Sequence, residues 1–492
     1  MGKKKKLTQT QSPAVDALDW AKTYLPPEEM DALQQSLLVE MPTSVRINCL
    51  KSDPVEMITH LCARYGWKAE GVPFSVSGYR IRGGEKAASS TLEHRMGYYY
   101  IQEAASMLPA ELFDLQGKAK PLILDMAASP GGKTIHLIDR TGDKGLVIAN
   151  DASRSRIPAL RIVLENWGAI KQGVTCQQGE WFGYAMPETF DAVLLDAPCS
   201  MQGLRSSASH ASRPISENEI AALAERQENL LVSALQSVKV GGEVVYSTCT
   251  LSPQENEGVL SAVLERYPGS ISVVDIKDKL PRIAGGISEA AGKKLADGVE
   301  RAARLWPHIF DTAGFFCAKL VKTGRIPSPE TGLPEGRQDL REMFMRDAEG
   351  MKIGEQIAEQ YGFDLPGVMR EQEIGVAIVG GKHFLAAKEL MRLEEKLALV
   401  SFGMPLGKAL PESWQPSHAL VSRFGDQFTR NVFVLDKTYL ARWERGEDVR
   451  GISDTSIQAG TVVAMRDASG RNLGRGKILK DRIKNQLPTR LF

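Results

Sequence analysis

The sequence predicts an α/β fold built on an open, doubly wound sheet, and three observations lead to this prediction. Between residues 116 and 322, short apolar runs alternate with helical patterns, as in a parallel sheet covered by helices. A glycine-rich segment follows one of these runs, and a cysteine follows each of two others. Open α/β sheets bind ligands outside the carboxyl ends of their strands. We therefore expect the three segments to meet at one site on that edge.

Six strands and three long helices make up the predicted central sheet. The strands are expected at 122–125, 145–150, 174–177, 192–196, 242–246 and 315–320, each an apolar run bounded by turn residues. The helices are expected at 134–139, 155–167 and 217–238. This alternation supplies the crossover connections that parallel strands need.

The length of 492 residues predicts about three domains of roughly 100–200 residues each. Five segments are expected: an α/β domain at 1–115, the sheet domain at 116–322, a linker rich in proline and glycine at 323–336, a small α/β module at 337–410 and a small β barrel at 411–492. In the first segment we expect helices at 16–24, 28–39, 54–65 and 103–113 and a strand at 45–51. In the last segment we expect strands at 418–423, 432–435 and 461–466.

The composition is that of an ordinary soluble globular chain, with 43% hydrophobic and 25% charged residues. Because the net charge is +1, any surface that attracts nucleic acid has to be local. The six cysteines, at positions 49, 62, 176, 199, 249 and 317, form no C-x-x-C pair, and no histidines are spaced like metal ligands. Four lysines at 3–6 precede no apolar segment, and no run approaches the ~18 residues of a membrane helix. We expect a reduced, cytoplasmic chain without a metal or a membrane span.

The glycine-rich segment is a candidate ligand loop. It consists of Ala127, Ala128, Ser129, Pro130, Gly131 and Gly132. Its small side chains let backbone N–H groups approach a bound carboxylate or nucleoside, and its spacing is not that of a phosphate-binding loop. Asp151, one residue past the next strand, stands where an acid binds ribose hydroxyls. On these residues alone, the alternative is a tight turn with an aspartate that caps a helix.

Cys199 and Cys249 are candidate reactive thiols. A lone cysteine at a strand end is more often a small buried apolar residue. Here two lie at strand ends of one predicted sheet, and Asp196 stands three residues before Cys199. Since strand-end loops give a thiolate access to substrate, the combination favours covalent chemistry.

Six segments together resemble a known family. They lie at 44–51, 100–103, 125–134, 190–200, 246–250 and 304–322, and the tail at 474–485 adds a seventh. The chain resembles the S-adenosylmethionine-dependent RNA cytosine-5 methyltransferases of the Sun/Nop group, most closely the bacterial RsmF type that acts on small-subunit rRNA. The resemblance covers nearly the whole chain. It implies a Rossmann-like class I methyltransferase domain, an N-terminal α/β RNA-binding domain and a C-terminal PUA-like domain.

The resemblance also implies roles for individual residues. Cys249 would add to carbon 6 of cytosine, Cys199 would assist product release, Asp196 would donate a proton to the ring, and Lys133 would hold Asp196. The cofactor, S-adenosylmethionine, would lie on the loop 127–132 with Lys133 and Asp196, and with Asp151 on its ribose. Gln178 falls where the family has an aspartate on the adenine amino group, which puts cofactor affinity in doubt. Met201 replaces the glycine usual after the cysteine motif.

RNA is the implied partner, and rRNA is favoured over the alternative, tRNA. The last 22 residues carry seven Lys/Arg against one acid, Asp481, and such a tail can contact phosphates or be only a solvated surface. The basic residues are at 471, 475, 477, 480, 482, 484 and 490. The segment 204–216, with Arg205, His210 and Arg213, is expected to cover the RNA as a flap. A catalytically silent assembly factor is the alternative from another class, with Gln178 in its favour. The oligomeric state is left open, with a monomer as the simplest expectation.

Overall fold

The N-terminal part folds as a four-stranded antiparallel sheet with short helices. The computed structural model describes residues 19–115, 117–203, 215–282, 285–290, 292–329, 340–393, 397–411, 413–451 and 456–488. The strands are β1 Thr43–Ile47, β2 Lys68–Gly71, β3 Gly78–Arg82 and β4 Tyr99–Ile101, in the order β2-β3-β1-β4. The helices are α1 Pro27–Leu38, α2 Pro54–Tyr65, α3 Leu92–Arg95 and α4 Leu108–Glu111, with 3-10 turns at Asp19–Thr23, Ala88–Ser90 and Ala105–Met107. The sequence predicted α2 correctly, because Asp53 caps its start and Gly66 ends it in the left-handed region.

Two predictions in this part are wrong in detail. The expected helix 103–113 is broken into a 3-10 turn and α4, because Pro109 has no N–H to donate within a continuous helix. The expected strand 45–51 ends at Ile47. There Asn48 turns the chain by accepting the Leu50 N–H on its side chain and the Lys51 N–H on its carbonyl.

A nine-stranded mixed sheet forms the centre of the molecule. Its strands from this region are β5 Leu122–Asp125, β6 Leu146–Asn150, β7 Gln172–Thr175, β8 Phe190–Asp196, β9 Val238–Thr248, β10 Ile271–Val274, β13 Ala303–Leu305 and β14 Phe315–Lys322, and a hairpin of β11 Glu289–Ala290 and β12 Lys293–Lys294 lies apart from it. Strands β5 to β9 pair in parallel, whereas β14 runs antiparallel to β9. Each of the six expected strands is present, with β7 starting two residues early.

Helices cover both faces of this sheet, which confirms the doubly wound fold. They are α5 Gly132–Arg140, α6 Ile157–Trp167, α7 Trp181–Ala185, α8 Glu217–Ser237, α9 Glu257–Arg266 and α10 Pro307–Phe310, with 3-10 turns at Lys277–Lys279 and Val299–Arg301. Ile135 and Leu160, on α5 and α6, belong to the hydrophobic cluster on one face. Leu230 and Leu260, on α8 and α9, belong to the cluster on the other face.

The segment after the linker contributes a strand to the central sheet. It contains α11 Leu340–Met343, α12 Asp347–Tyr361, α13 Leu365–Glu371, β15 Ile374–Val379, β16 Lys382–Ala387, a 3-10 turn at Lys388–Arg392, β17 Leu399–Phe402, β18 Met404–Ala409 and β19 Trp414–Pro416. Strands β15, β16, β18 and β19 form a small antiparallel sheet. In contrast, β17 pairs antiparallel with β7 and forms the last strand of the central sheet. No local pattern in the sequence predicts this pairing.

The C-terminal part is a five-stranded sheet preceded by a buried helix. Its elements are α14 His418–Phe424, a 3-10 turn at Gly425–Gln427, β20 Val432–Val434, α15 Lys437–Glu444, β21 Val449–Arg450, β22 Val462–Arg466, β23 Asn472–Ile478 and β24 Arg482–Asn485, with strand order β20-β22-β23-β24-β21. The expected strand at 418–423 is wrong. The hydroxyl of Ser417 accepts the Leu420 N–H and so caps the start of a helix. Because α14 is buried along most of its length, its apolar residues were mistaken for those of a strand.

A buried lysine joins the three parts of the chain. Lys51 Nζ donates to the carbonyls of Met96 and Asn166 at 2.7 and 2.8 Å and to Ser422 Oγ at 2.6 Å. Burial lowers the pKa of Lys51 well below its ordinary value. Next to it, Arg423 pairs with Asp143, whose side chain is fully buried. The C-terminal part is thereby held against both the N-terminal sheet and the central sheet.

Across the described ranges, no helix is long and apolar enough to cross a membrane. The same ranges contain no group of three or more His, Cys, Asp or Glu side chains that could hold a metal ion.

Candidate active site

The glycine-rich loop connects β5 to α5 at the carboxyl edge of the central sheet. Gly131 has φ +115°, and a Cβ there would lie 3.0 Å from Leu160 Cδ1, so the loop packs closely on α6. The first N–H groups of α5 have no partner within the helix and are therefore available to a ligand. Beneath the loop, Thr134 Oγ1 donates to Asp125 Oδ2 at 2.6 Å, while Asp125 Oδ1 has no partner among the described residues. Burial raises the pKa of Asp125 to about 7.

Asp151 ties this loop to the end of β6. Its carboxylate accepts the N–H of Ser129 at 3.2 Å and that of Ser153 at 2.9 Å. Arg156 completes the arrangement, with Nη1 3.4 Å from Asp151 and Nη2 donating to the Ser129 carbonyl at 2.5 Å. Asp151 does not cap α6, whose N-cap residue is Arg156. The helix-capping alternative for this aspartate is therefore wrong.

Lys133 and Asp196 form the ion pair expected from the sequence. Lys133 Nζ donates to Asp196 Oδ2 at 2.8 Å, and Ser247 Oγ donates to Asp196 Oδ1, also at 2.8 Å. Burial alone would lower the pKa of Lys133, but the Asp196 carboxylate and its hydrogen bond raise it overall. The pair therefore consists of an ammonium group and a carboxylate with both oxygens accepting hydrogen bonds.

The two candidate thiols are in contact. Cys199 follows β8, Cys249 follows β9, and their sulfur atoms lie 3.2 Å apart. The hydrogen bond to Cys249 raises the pKa of Cys199 well above its ordinary value, and burial adds to this effect. The raised pKa favours the protonated form of Cys199, and either sulfur can donate in the thiol pair. The predicted meeting of these loops at one edge is confirmed for both cysteines, for Asp196 and for the glycine-rich loop.

Two buried side chains after the second cysteine fix both thiol loops. Glu255 accepts the Ser200 N–H at 2.9 Å, the Ser200 hydroxyl at 2.5 Å and Gln227 Nε2 at 3.0 Å. Asn256 accepts from Thr248 Oγ1 at 2.5 Å and donates to the Thr250 carbonyl at 3.0 Å. Neither residue was predicted to belong to the site. The signal available in the sequence was a run of three polar residues, 255–257, shortly after a strand-end cysteine.

A buried arginine anchors the next part of the same loop. Arg304 makes two hydrogen bonds to Glu257, at 2.6 and 2.5 Å, and both side chains are fully buried. It also donates to the Leu251 carbonyl at 2.7 Å. The rings of Trp20 and Trp306 lie 5.2 and 5.5 Å from its guanidinium carbon, a geometry that favours the cation.

The N-terminal sheet supports the ligand loop from the opposite side. Arg46, on β1, is fully buried and donates from Nε to Gln102 Oε1 at 3.0 Å and from Nη2 to the Gly132 carbonyl at 3.4 Å. It forms an ion pair with Asp139 on α5, and its guanidinium lies 4.8 Å from the Trp167 ring centre. The segment 44–51, noted in the sequence as a motif, thus holds the start of α5 in place.

The remaining expected residues lie at the rim or outside the described chain. Gln178 is exposed just beyond β7, and Met201 is half-exposed beyond Cys199. Arg205, His210 and Arg213, expected to form a flap, lie outside the described residues.

Fewer basic residues of the tail can contact phosphates than its sequence predicts. Arg471 pairs with Glu93, Glu444 and Asp467, Arg475 donates to the Pro416 carbonyl, and Arg482 pairs with Asp448 and Asp481. These three arginines hold the C-terminal sheet together, so the expectation of seven cations for phosphates is wrong. Lys477, Lys480 and Lys484 have no acidic partner in the described part of the chain, and Arg490 lies outside it. Lys477 and Lys484 stand directly opposite each other on β23 and β24.

Comparison with known proteins places this site in a family. Residues 112–321 match 16S rRNA methyltransferase RsmB/F, and residues 18–104 match the N-terminal domain of 16S rRNA methyltransferase RsmF. The ribosomal RNA small subunit methyltransferase F of Citrobacter koseri is 32% identical over 453 residues, which cover 91% of this chain and 90% of that protein. The protein of the same name from Aeromonas salmonicida is 31% identical over 469 residues, covering 94% and 93%.

Solved structures show the same fold. A methyltransferase homolog protein from Pyrococcus horikoshii is 27% identical, with a TM-score of 0.52, covering 64% of this chain and all of that one. NSun6 from Pyrococcus horikoshii, solved with SFG, has a TM-score of 0.52 at 22% identity, covering 63% of this chain and 98% of that one, and supports the fold alone. The chain belongs to the ribosomal RNA small subunit methyltransferase F family.

Proposed function

We propose that this chain methylates carbon 5 of a cytosine in 16S rRNA through a covalent adduct on Cys249. The observation that carries the proposal is the thiol pair, with sulfurs 3.2 Å apart at the carboxyl edge of the sheet. Because the raised pKa of Cys199 favours its protonated form, we assign the attack to Cys249. The Lys133–Asp196 pair beside it supplies a proton source for the base.

The residues present suit S-adenosylmethionine. When bound, it supplies an electrophilic methyl group on a sulfonium sulfur. Asp151 is a buried, acceptor-only group fixed by two backbone N–H groups, which suits the ribose hydroxyls. The first-turn N–H groups of α5 suit the carboxylate of the methionine part, and Gln178 can accept from the adenine amino group through its amide oxygen.

Attack by Cys249 activates the base. The Cys249 sulfur attacks as a thiolate, its proton having passed to solvent, and forms a bond to carbon 6. The electrons of the ring double bond are then shared between carbon 5 and the ring nitrogen, and carbon 5 takes up the methyl group as its bond to the sulfonium sulfur breaks. The ring nitrogen that gains negative charge needs a proton. Both Asp196 oxygens accept hydrogen bonds, so this proton comes from the Lys133 ammonium, 2.8 Å from the carboxylate, and reaches the base through Asp196.

Release reverses the addition. The carbon 5 proton passes to the Lys133 amine and restores the ammonium, while the ring nitrogen returns its proton to Asp196 and then to solvent. The electrons of the broken carbon 5–hydrogen bond re-form the ring double bond and expel Cys249. The Cys199 S–H lies within hydrogen-bond distance of the departing sulfur and stabilises its negative charge. One proton is released overall.

We also propose that the C-terminal sheet is a PUA-like RNA-binding domain and that the N-terminal sheet contributes to RNA binding. Lys477 and Lys484 are cross-strand neighbours, and Arg450 lies on the same face of the sheet, opposite Arg482, whose charge Asp448 and Asp481 already pair. Like charges placed directly opposite repel each other, and a phosphate backbone would relieve that repulsion. The cytoplasm, where rRNA is exposed to such an enzyme, is the proposed place of action.

Methylation of isolated small-subunit rRNA tests the proposal. Purified protein, S-adenosylmethionine and 16S rRNA should give a 5-methylcytosine that bisulfite sequencing maps to a defined position, and Cys249→Ala should give none. Cofactor binding, measured by calorimetry, should be detectable despite Gln178. Absence of both binding and methylation would favour a silent assembly factor, and methylation of tRNA alone would replace the substrate.

A further inference from the structure

The cysteine loop after β8 holds one residue that the proposed chemistry does not use. Met201 has φ +56°, in the left-handed region that side chains other than glycine, asparagine and aspartate rarely adopt. Half of its surface, 50%, is exposed. In the free protein, this backbone conformation is unfavourable for a methionine, and the half-exposed side chain offsets little of that free energy through burial.

The loop is held on both sides of this residue, at the residue before it and at the second residue after it. On one side, Ser200 is held by Glu255 through its N–H and its hydroxyl. On the other, Gly203 donates to the Cys249 carbonyl at 3.2 Å and accepts from the Gly314 N–H at 2.7 Å. The turn that positions Cys199 therefore forces the left-handed conformation at residue 201.

Met201 also lies close to the thiols. Its backbone N–H donates a hydrogen bond to the Cys199 sulfur, which is 3.2 Å from the Cys249 sulfur. The backbone of Met201 is therefore linked to the Cys249 sulfur through a single thiol. Because the side chain is half-exposed, it stands at the rim of the site, where the chain that carries the target base enters.

We propose that Met201 is a specificity-determining residue that packs against the RNA nucleotide next to the target cytosine. This inference rests on the proposed function. An extruded base leaves its neighbour without a stacking partner, and an apolar side chain can replace the lost contact. A thioether suits this role because it is polarizable and packs well against aromatic rings. The contact would compensate for the strained backbone only when RNA is bound.

Three substitutions separate the side chain from the backbone. Met201→Ala keeps the Cβ and removes the contact, Met201→Gly also removes the backbone cost, and Met201→Leu keeps an apolar side chain of similar volume. For transfer of a radioactive methyl group to 16S rRNA, we expect kcat/KM to fall about tenfold in the Ala and Gly variants. The Leu variant should stay within about twofold of the wild type. The KM for S-adenosylmethionine should not change in any of them.

Thermal melting controls for the fold, and the Gly variant should melt no lower than the wild type, since it relieves the left-handed methionine. Unchanged kcat/KM for rRNA in Met201→Ala would overturn the inference, and so would a matching rise in its KM for S-adenosylmethionine. If the wild type itself methylates no rRNA, the proposed function fails instead. With the methylated position mapped, an abasic residue on each side of the cytosine in turn should abolish the difference between wild type and Met201→Ala at one of them.

Discussion

The cysteine loops and the C-terminal sheet differ in whether their charged side chains are paired within the protein. Around the cysteines, Glu257 is paired with Arg304 and Asp196 with Lys133, all within the protein. On the C-terminal sheet, Lys477 faces Lys484 with no acidic partner among the described residues. The first arrangement fixes atomic positions before any substrate arrives. The second leaves an electrostatic repulsion that a bound polyanion would relieve, so in the proposed function the first region supplies geometry and the second supplies affinity.

The largest expected effect distinguishes the two thiols. Cys249→Ala should abolish methylation and form no adduct, because the attacking sulfur is gone. Cys199→Ala should still permit attack and methyl transfer but slow the release of Cys249, so a protein–RNA species should accumulate. Denaturing electrophoresis with labelled rRNA detects it. An adduct in Cys249→Ala and none in Cys199→Ala would reverse the two roles.

Substitution of Arg304 should destabilise the loop after Cys249, because Arg304 binds both Glu257 and the Leu251 carbonyl. Arg304→Met leaves the buried Glu257 without its charged partner and, among the described residues, with only the Ile287 N–H as a donor, which should lower the free energy of unfolding by about 3–5 kcal/mol. Arg82→Met is the matched control, because its pair with Asp311 is exposed and should contribute below about 1 kcal/mol. Urea titration followed by intrinsic fluorescence measures both. Equal effects of the two substitutions would mean that the buried pair does not hold the loop.

Asp125 should make stability depend on pH. A carboxyl whose pKa rises from its ordinary value near 4 to about 7 on folding weakens the folded state by roughly 4 kcal/mol above pH 7. Between about pH 4 and about pH 7, the folded protein keeps a proton on Asp125 that the unfolded chain has lost. The contribution of Asp125 to the free energy of unfolding therefore falls as pH rises through that range and is constant above it.

The isosteric Asp125→Asn can still accept from Thr134 and cannot ionise. The difference in stability between variant and wild type should therefore grow in favour of the variant between pH 4 and pH 7. Thermal melting across that range, compared as the difference between the two proteins, removes the titration of all other groups. A difference that does not vary with pH would show that Asp125 is ionised throughout.

The C-terminal cations should have the smallest effect, and it should depend on salt. Replacing both Lys477 and Lys484 with alanine should weaken rRNA binding by about 1 kcal/mol per lysine and flatten its dependence on salt. Lys294→Ala, an exposed lysine on the β11–β12 hairpin, is the control and should change neither. Filter binding at about 50 to 200 mM salt measures how steeply the binding constant depends on salt concentration. Deletion of 411–492 is a poorer test, because it leaves the buried Asp143 without Arg423.

Periodicity predicted the regular elements of the central sheet, because buried parallel strands and their helices follow local patterns. It also predicted which loops meet, since the carboxyl ends of parallel strands share one edge. What it could not predict depends on distant partners. Arg471 reads as a free cation in the sequence and is bound by Glu93 in the fold. The pairing of β17 with β7 is likewise set by packing across the chain, and nothing local marks it.

That pairing has a consequence for synthesis on the ribosome. Strand β7 stays an open edge until Leu399–Phe402 has left the exit tunnel, long after β14 has completed the opposite side of the sheet. At roughly 5–20 residues per second, the edge is exposed for several seconds in each new chain. An unpaired strand edge is a template for wrong pairing with other chains. Chains that stop in the linker never close this edge, and such truncated products should aggregate where the full-length protein does not.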